Sequence, residues 1–480
     1  MVRRPGVVRP GPIAYFQAAG RTWVAARAYV PLPSKVSVYG HPAPGRYRHT
    51  SSIGRGVPGY RLRRTRRRGD TTLSSGYMPN VRQLFEECVL PLGMTKGATV
   101  GERIAQWRKT RGLTQHQLAA RANVSRSMLA QVETGASSAS TVWVGAVANA
   151  LQIDASRLHG DDEPEALSEV LPTLRRTLAA TDLLDPSLEP VPMDELRRLS
   201  QRVGRWRIDA RYRKITEVLP DLVDALLVAG EESGRPAYAL LTDAYRAANT
   251  VAHKLGYADL SLTATERMEW AATRSGDPLL LATTHYVKAA TLARVGASAH
   301  ALRLLDRSIA DIEPLVEEDA TAAAVHSILH MRAGTIAAAT GDADTSRGHL
   351  DAAERLAASF GDRVVYGSPV GPTNVRLYQL CAEVDLGEPG RAVSIAKATR
   401  LPPDMAAERR GYFWVDAARA HLLAGDPDAA IGALFESRVA APEHFRASSA
   451  VKNAIRTTAR QQRRASDKLR TLANTAGIEL

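Results

Sequence analysis

Residues Gln115 to Glu133 read QHQLAARANVSRSMLAQVE, and this run decides how the rest of the chain is read. Thr114, just before it, is a good N-cap, because its hydroxyl can accept from a free amide of the first helical turn. The helix that follows, Gln115 to Arg121, buries Leu118, and the small Ala119 lets a neighbouring helix approach. Ala122-Asn123-Val124 forms the turn. Asparagine is one of the few residues that tolerates the left-handed conformation ending a helix. Ser125 caps the next helix, which buries Leu129 and Val132 and stops at Gly135. The run is therefore a helix, a tight turn and a second helix.

Working outward, Val100, Ile104 and Trp107 recur at helical spacing and give an amphipathic helix that Gly112 stops. On the other side, Ser140 or Thr141 caps a fourth helix reaching Leu151. A short fifth helix follows around Ser156 to Leu158. With these flanks, the run GERIAQWRKTRGLTQHQLAARANVSRSMLAQVETG resembles the Xre/Cro/phage-repressor helix-turn-helix family. The resemblance implies a five-helix, lambda-repressor-like DNA-binding domain over residues 94–160. It also implies that the second helix of the motif enters the major groove of double-stranded DNA, N-terminal end first.

By position, Arg126, Ser127 and Gln131 match that family's base-reading sites. Arg126 suits a bidentate pair with guanine, Gln131 suits adenine, and Ala130 is small enough to meet a thymine methyl. Gln115 opens the preceding helix, where its side chain and backbone amide can hold a phosphate. Arg111 and Lys109 are further phosphate candidates, with a solvated surface as the competing reading. Arg108 and Glu133 match a structural ion pair of the family that links its first and third helices. Two departures stand out. Gly145 lies in the fourth helix where the family usually carries a large apolar residue. The loop Ala136-Ser137-Ser138-Ala139 lacks the basic residues often found there, which puts phosphate contacts from it in doubt.

Charge separates this region from its flanks. Residues 1–93 hold 16 Lys and Arg against 3 Asp and Glu, and so account for the whole net charge of +13. Residues 94–160 carry +5 and residues 161–480 carry −5. Pro and Gly recur through 1–93 without a persistent helical or strand period, so this leader reads as disordered. Its block Arg61-Leu62-Arg63-Arg64-Thr65-Arg66-Arg67-Arg68 suits an arm that neutralises DNA phosphates. The competing expectation is a stretch outside the native protein, with translation beginning at Met78 or Met94.

Residues 161–193 read as a linker, acidic at Asp161-Asp162-Glu163 and broken by prolines, with a helix from Glu165 to Ala180. From 194 to 480 the pattern is Ala- and Leu-rich and helical. Gly256, Gly296, Gly341, Gly387 and Gly425 recur at spacings of 40, 45, 46 and 38. Each follows one amphipathic helix and precedes another. Five residues after each comes a small residue: Ser261, Ala301, Ser346, Ala392 and Ala430. Glycine ends the first helix, and the small residue lets the second pack against it. The segments RAGTIAAATGDADTSRGHLDAAERLA and DAARAHLLAGDPDAAIGALFESRVA resemble tetratricopeptide repeats, although that family's period is about 34 residues. The expected architecture is all-α, the helix-turn-helix domain followed by a tetratricopeptide-like α-solenoid. A terminal helix after Ser448, with Val451, Ile455, Leu469 and Leu472 inward, is expected to cap it. The combined plan resembles Xre regulators of the actinobacterial type.

Other chemistry is thin. His326 and His330 share a helix face, but no third ligand is evident, so no metal is expected. No phosphate-binding glycine-lysine loop, nucleophile elbow or HExxH motif is present, and no catalytic residue or cofactor is expected. The aromatic residues Trp206, Tyr212, Tyr238, Tyr245, Trp270, Tyr286, Tyr378 and Trp414 suit core packing, with some as candidates for a ligand groove. No apolar run is long enough to span a membrane. The nearest, Ile13 to Val30, is broken by Arg21 and Arg27. Cys88 and Cys381 are the only cysteines, which suits a reducing cytoplasm. These features lead to a transcriptional regulator acting as a homodimer on a near-palindromic operator, with an effector (peptide, small molecule or protein) at the solenoid. The alternative is a DNA-tethered scaffold with a constitutive protein partner and no ligand switch.

Overall fold

A computed structural model describes residues 16–18, 21–23, 98–159, 171–179, 187–462 and 464–480. Of the leader, only β1 (Phe16–Ala18) and β2 (Arg21–Trp23) are described, an antiparallel pair with Phe16 opposite Trp23. That pair departs from the expectation of no regular structure. The Arg61–Arg68 block, Met78 and Met94 lie outside the described residues.

Five helices open the described part of residues 79–480. They are α1 (Val100–Thr110), α2 (Gln115–Ala122), α3 (Arg126–Thr134), α4 (Thr141–Ala150) and α5 (Ser156–His159). Their ends are set by local chemistry. Thr99 and Thr114 each form a capping box, with Glu102 and Gln117 respectively. Asn123 ends α2 in the left-handed conformation at φ 51°, and Ser125 and Ser140 cap α3 and α4. Ile104, Leu118, Leu129, Trp143, Val147 and Leu158 are fully enclosed in the shared core.

Within the expected linker the described residues form α6 (Leu171–Ala179), whose Leu174 and Leu178 are buried in the next core; the rest of the expected Glu165 to Ala180 helix lies outside the described residues. The helices α7 (Met193–Ile208) and α8 (Tyr212–Ser233) follow. Then come antiparallel pairs: α9 (Arg235–Lys254) with α10 (Ala258–Ser275), and α11 (Pro278–Arg294) with α12 (Ser298–Ile312). The pairs continue with α13 (Ala320–Ala339) and α14 (Ala343–Ala357), α15 (Pro372–Leu386) and α16 (Pro389–Ala398), and α17 (Ala407–Leu423) and α18 (Pro427–Ala440). All five marker glycines sit in the turn inside a pair, each with a positive φ between 75° and 85°. Ser261, Ala301, Ser346, Ala392 and Ala430 are all buried where the second helix meets the first. The first helices of successive pairs also touch one another, forming a row. The central one, α13, is enclosed almost all round, which its Ala-rich sequence permits.

Two features depart from the sequence reading. A hairpin of β3 (Arg363–Val365) and β4 (Ser368–Val370) lies between α14 and α15, turning through Tyr366 and Gly367, both at positive φ. After α19 (Pro442–Ala447), the expected single terminal helix beyond Ser448 is instead two, α20 (Ser449–Gln461) and α21 (Asp467–Ala476). Ser466 restarts the chain as the N-cap of α21. Val451, Ile455, Leu469 and Leu472 are buried as expected.

Candidate nucleic-acid interface

The first three helices are tied together by one carboxylate. Arg108 on α1 donates from Nε and Nη2 to the two oxygens of Glu133 on α3, at 2.6 and 2.8 Å. Its Nη1 donates to the Leu113 carbonyl at 2.8 Å. The bonds to Glu133 raise the Arg108 pKa above its ordinary value, against a smaller opposing effect of burial. Only 12% of the Arg108 side chain and 4% of the Glu133 side chain remain exposed, so the pair is largely desolvated. The Gln115 amide also donates to Glu133, at 2.9 Å. One of the two N–H groups of the Gln115 amide is thus engaged within the fold, and its other N–H and its backbone N–H at the start of α2 are the donors left over.

The remaining candidates divide. Arg126 and Ser127, in the first turn of α3, are exposed. Arg111 and Lys109 are exposed too, and Arg111 lies over the Trp107 ring at 6.0 Å from its centroid. Ala130 and Gln131 are only half-exposed, and the Gln131 amide oxygen is buried without a hydrogen-bond partner. Met128, between Ser127 and Leu129, is fully buried. Sequence reasoning passed over Met128. The available signal was an apolar side chain among the polar residues of a face expected to meet DNA.

For Met128 the cause is that the stacked pairs sit against this domain. A Cβ built at Gly387, in the turn after α15, would lie 3.7 Å from Met128 Cβ. One built at Gly341, after α13, would lie 3.4 Å from the Ser125 nitrogen. One built at Gly145 would stand 2.4 Å from the Arg294 carbonyl oxygen at the end of α11. Ala339 at the end of α13 is part of the apolar core of the five helices. Both sequence departures now have a physical reason. Gly145 is small because α11 ends against it.

The loop 136–139 is uncharged because it too is an interface. Ser137, Ser138 and Ala139 are buried. Arg419 on α17 donates to the Ser138 carbonyl at 3.1 Å, and Asn453 on α20 donates to the Ser138 hydroxyl at 3.0 Å. Gln461 donates to the Ala136 carbonyl at 2.9 Å. Beside the loop, the Ser140 hydroxyl donates to Asp385 at 2.6 Å, and Asp385 also takes Arg419 at 2.5 Å. At the rim Arg460 meets Glu102 at 2.5 Å.

Among the described residues there is no group of His, Cys, Asp and Glu that could hold a metal. The ring of His349 does join His326 and His330, with 2.8 Å between the Nδ1 atoms of His330 and His349. No helix among the described residues is long and apolar enough to cross a membrane.

The chain resembles known proteins. A helix-turn-helix domain family model matches residues 99–159. The chain is similar to the immunity repressor protein of Bacillus phage phi105, at 33% identity over 138 residues, covering 24% of this chain and 96% of that protein.

Proposed function

Because the chain belongs to the helix-turn-helix family that includes the immunity repressor of Bacillus phage phi105, we propose that it is a sequence-specific DNA-binding transcriptional regulator whose tetratricopeptide-like hairpin stack senses an effector and governs access to α3. In this reading Arg126, Ser127 and Gln131 address base edges, and Ala130 meets a thymine methyl. The Gln115 backbone amide and Arg111 hold phosphates. A homodimer presents two copies of α3 about 34 Å apart to a near-palindromic operator.

The observation that carries the reading is the seat of α3 on the turns at Gly341 and Gly387. A helix with its side chains is about 10–12 Å across. The major groove is about 12 Å wide, so it accepts the helix alone. The turns at Gly341 and Gly387 stand within about one methyl group of contact with Ser125 and Met128, which leaves no room for groove walls beside that first turn. The docked arrangement is therefore the non-binding state, and the hairpin stack must separate from α3 before DNA is read. The buried, unpartnered oxygen of Gln131 fits this: its acceptor is wasted in the docked state and used on DNA.

In vitro operator selection with the full chain tests the reading. It should return a near-palindromic site. Arg126→Ala should then lose about 1–3 kcal/mol of discrimination at one base pair per half-site. An Arg126→Ala protein with unchanged sequence preference would overturn the assignment.

A further inference from the structure

The row of first helices carries more buried positive charge than the described residues neutralise. Arg246 and Lys254 come from α9, Arg294 from α11, Arg332 from α13 and Arg409 from α17. Arg246 is held by the β3–β4 hairpin, donating to the Tyr366 carbonyl and to the Ser368 hydroxyl. Lys254 meets Glu408 at 3.4 Å. The other three have no carboxylate partner among the described residues. Arg294 reaches only the hydroxyls of Thr291 and Ser261, at 2.8 and 3.3 Å. Arg332 lies 4.4 Å from the Tyr286 ring centroid, and Arg409 lies 5.2 Å from that of Tyr378. The Nε–H groups of Arg332 and Arg409 are both buried without a hydrogen-bond partner.

The crowding of charge shows in the neighbours. Burial and the Arg332 cation bring the Arg294 pKa down to about 10. Burial pushes the Tyr286 hydroxyl up, but the Arg332 and Arg409 cations and its hydrogen bond with Tyr378 outweigh this and bring it below the usual tyrosine value. These arginines are deeply surrounded by protein, yet Arg294, Arg332 and Arg409 each keep surface open to water. Arg332 and Arg409, grouped about the hydrogen-bonded Tyr286–Tyr378 pair and each partly open to water, form a cluster termed the recess.

We propose that this recess is the effector site, and that Arg332 and Arg409 bind a small oxyanion-bearing molecule there, a carboxylate or phosphate seated on their guanidinium forks with Tyr286 and Tyr378 beside it. The assignment rests on the reading of the hairpin stack as a sensor. A planar guanidinium with free N–H groups matches an oxyanion in both charge and geometry. A buried charged donor left without an acceptor is costly, and an oxyanion supplies the acceptor.

The site is connected to α3 by the helices that line it. α11, α13, α15 and α17 carry Arg294, Arg332, Tyr378 and Arg409 toward the recess. The same four helices meet the DNA-binding domain at or near their C-terminal ends, through the Arg294 carbonyl, Ala339, Asp385 and Arg419. From Arg332 to Gly341 is roughly 14 Å along the helix axis. An anion that draws α13 and α17 together at Arg332 and Arg409 shifts the surface on which α3 is seated, toward the C-terminal ends of those helices.

Calorimetric titration of the full chain with inorganic pyrophosphate and with citrate tests the proposal, with glucose as the neutral control. At least one anion should bind saturably, and which one identifies phosphate or carboxylate as the preferred group. Arg332→Gln and Arg409→Gln should each weaken that binding at least tenfold, while Arg438→Gln, far along the chain on α18, leaves it unchanged. Absence of binding by both anions, or binding by both recess variants as tight as that of the unaltered protein, would overturn it. Should either variant fail to fold, tyrosine absorbance of the unaltered protein decides: a bound anion should raise the pH at which the recess tyrosine ionises, and no shift would overturn the site. Operator affinity is measured separately in the absence of anion. Its failure sinks the regulator reading without touching the anion result.

Discussion

Gly145 of α4 lies so close to Arg294 of α11 that a Cβ at position 145 would stand 2.4 Å from the Arg294 carbonyl oxygen. The contact is between backbones, so no side-chain rotation relieves it. Gly296 completes the approach from the other side, with its own added Cβ 2.8 Å from the Gly145 carbonyl oxygen.

Gly145→Ala therefore acts on the docked state and not on the five-helix domain alone. Within α4 the change favours helix by about 1 kcal/mol. Against α11 it forces the two surfaces apart. Operator affinity of the full chain should rise at least tenfold, about 1.4 kcal/mol, in a fluorescence anisotropy titration. Unchanged or weaker binding by a folded variant would count against the docked state being the non-binding one.

Glu133→Ala should lower stability by about 3–5 kcal/mol, because it leaves Arg108 desolvated without its partner. It also strands the Gln115 amide donor. A thermal melt reads the change, and an unshifted midpoint would mean the pair contributes nothing.

The histidine stack predicts a pH dependence. Burial, followed by the neighbouring His326 and His349, lowers the His330 pKa to about 3. Folding thus favours the neutral ring, while the unfolded imidazole takes its proton near its ordinary value of about 6.5. The contribution is full above that value and is lost as pH falls from about 6.5 toward about 3. His330→Leu should flatten the fall of melting temperature over that window. A variant with the same acid slope as the unaltered chain would contradict the assignment.

What was legible in the sequence was local. Thr114, Asn123, Ser125 and Gly135 act within a few residues of themselves, and each does in the fold what its chemistry suggests. The five turn glycines and their small followers likewise encode a contact inside one helix pair. What was not legible depends on partners far along the chain. Gly145 and the loop 136–139 looked like weaknesses of a DNA-binding domain, because α11, α17 and α20 lie far beyond them in sequence. Met128 was passed over for the same reason. Arg332 and Arg409 drew no reading from the sequence, since a buried cation leaves no mark on helical periodicity. The β3–β4 hairpin was missed because its strands are three residues each, too short for alternation to register.

The central claim is that the hairpin stack must leave α3 before DNA is bound, and locking the two together tests it most directly. Ser138 and Asn453, hydrogen-bonded at 3.0 Å across the interface, offer the positions. In a background without Cys88 and Cys381, Ser138→Cys with Asn453→Cys can be joined by a short bis-thiol cross-linker. Operator affinity is then measured before and after joining. The account predicts that the joined protein loses at least tenfold in affinity relative to the unjoined double variant, which binds at least as tightly as the parent does. A joined protein that binds operator with undiminished affinity would contradict it.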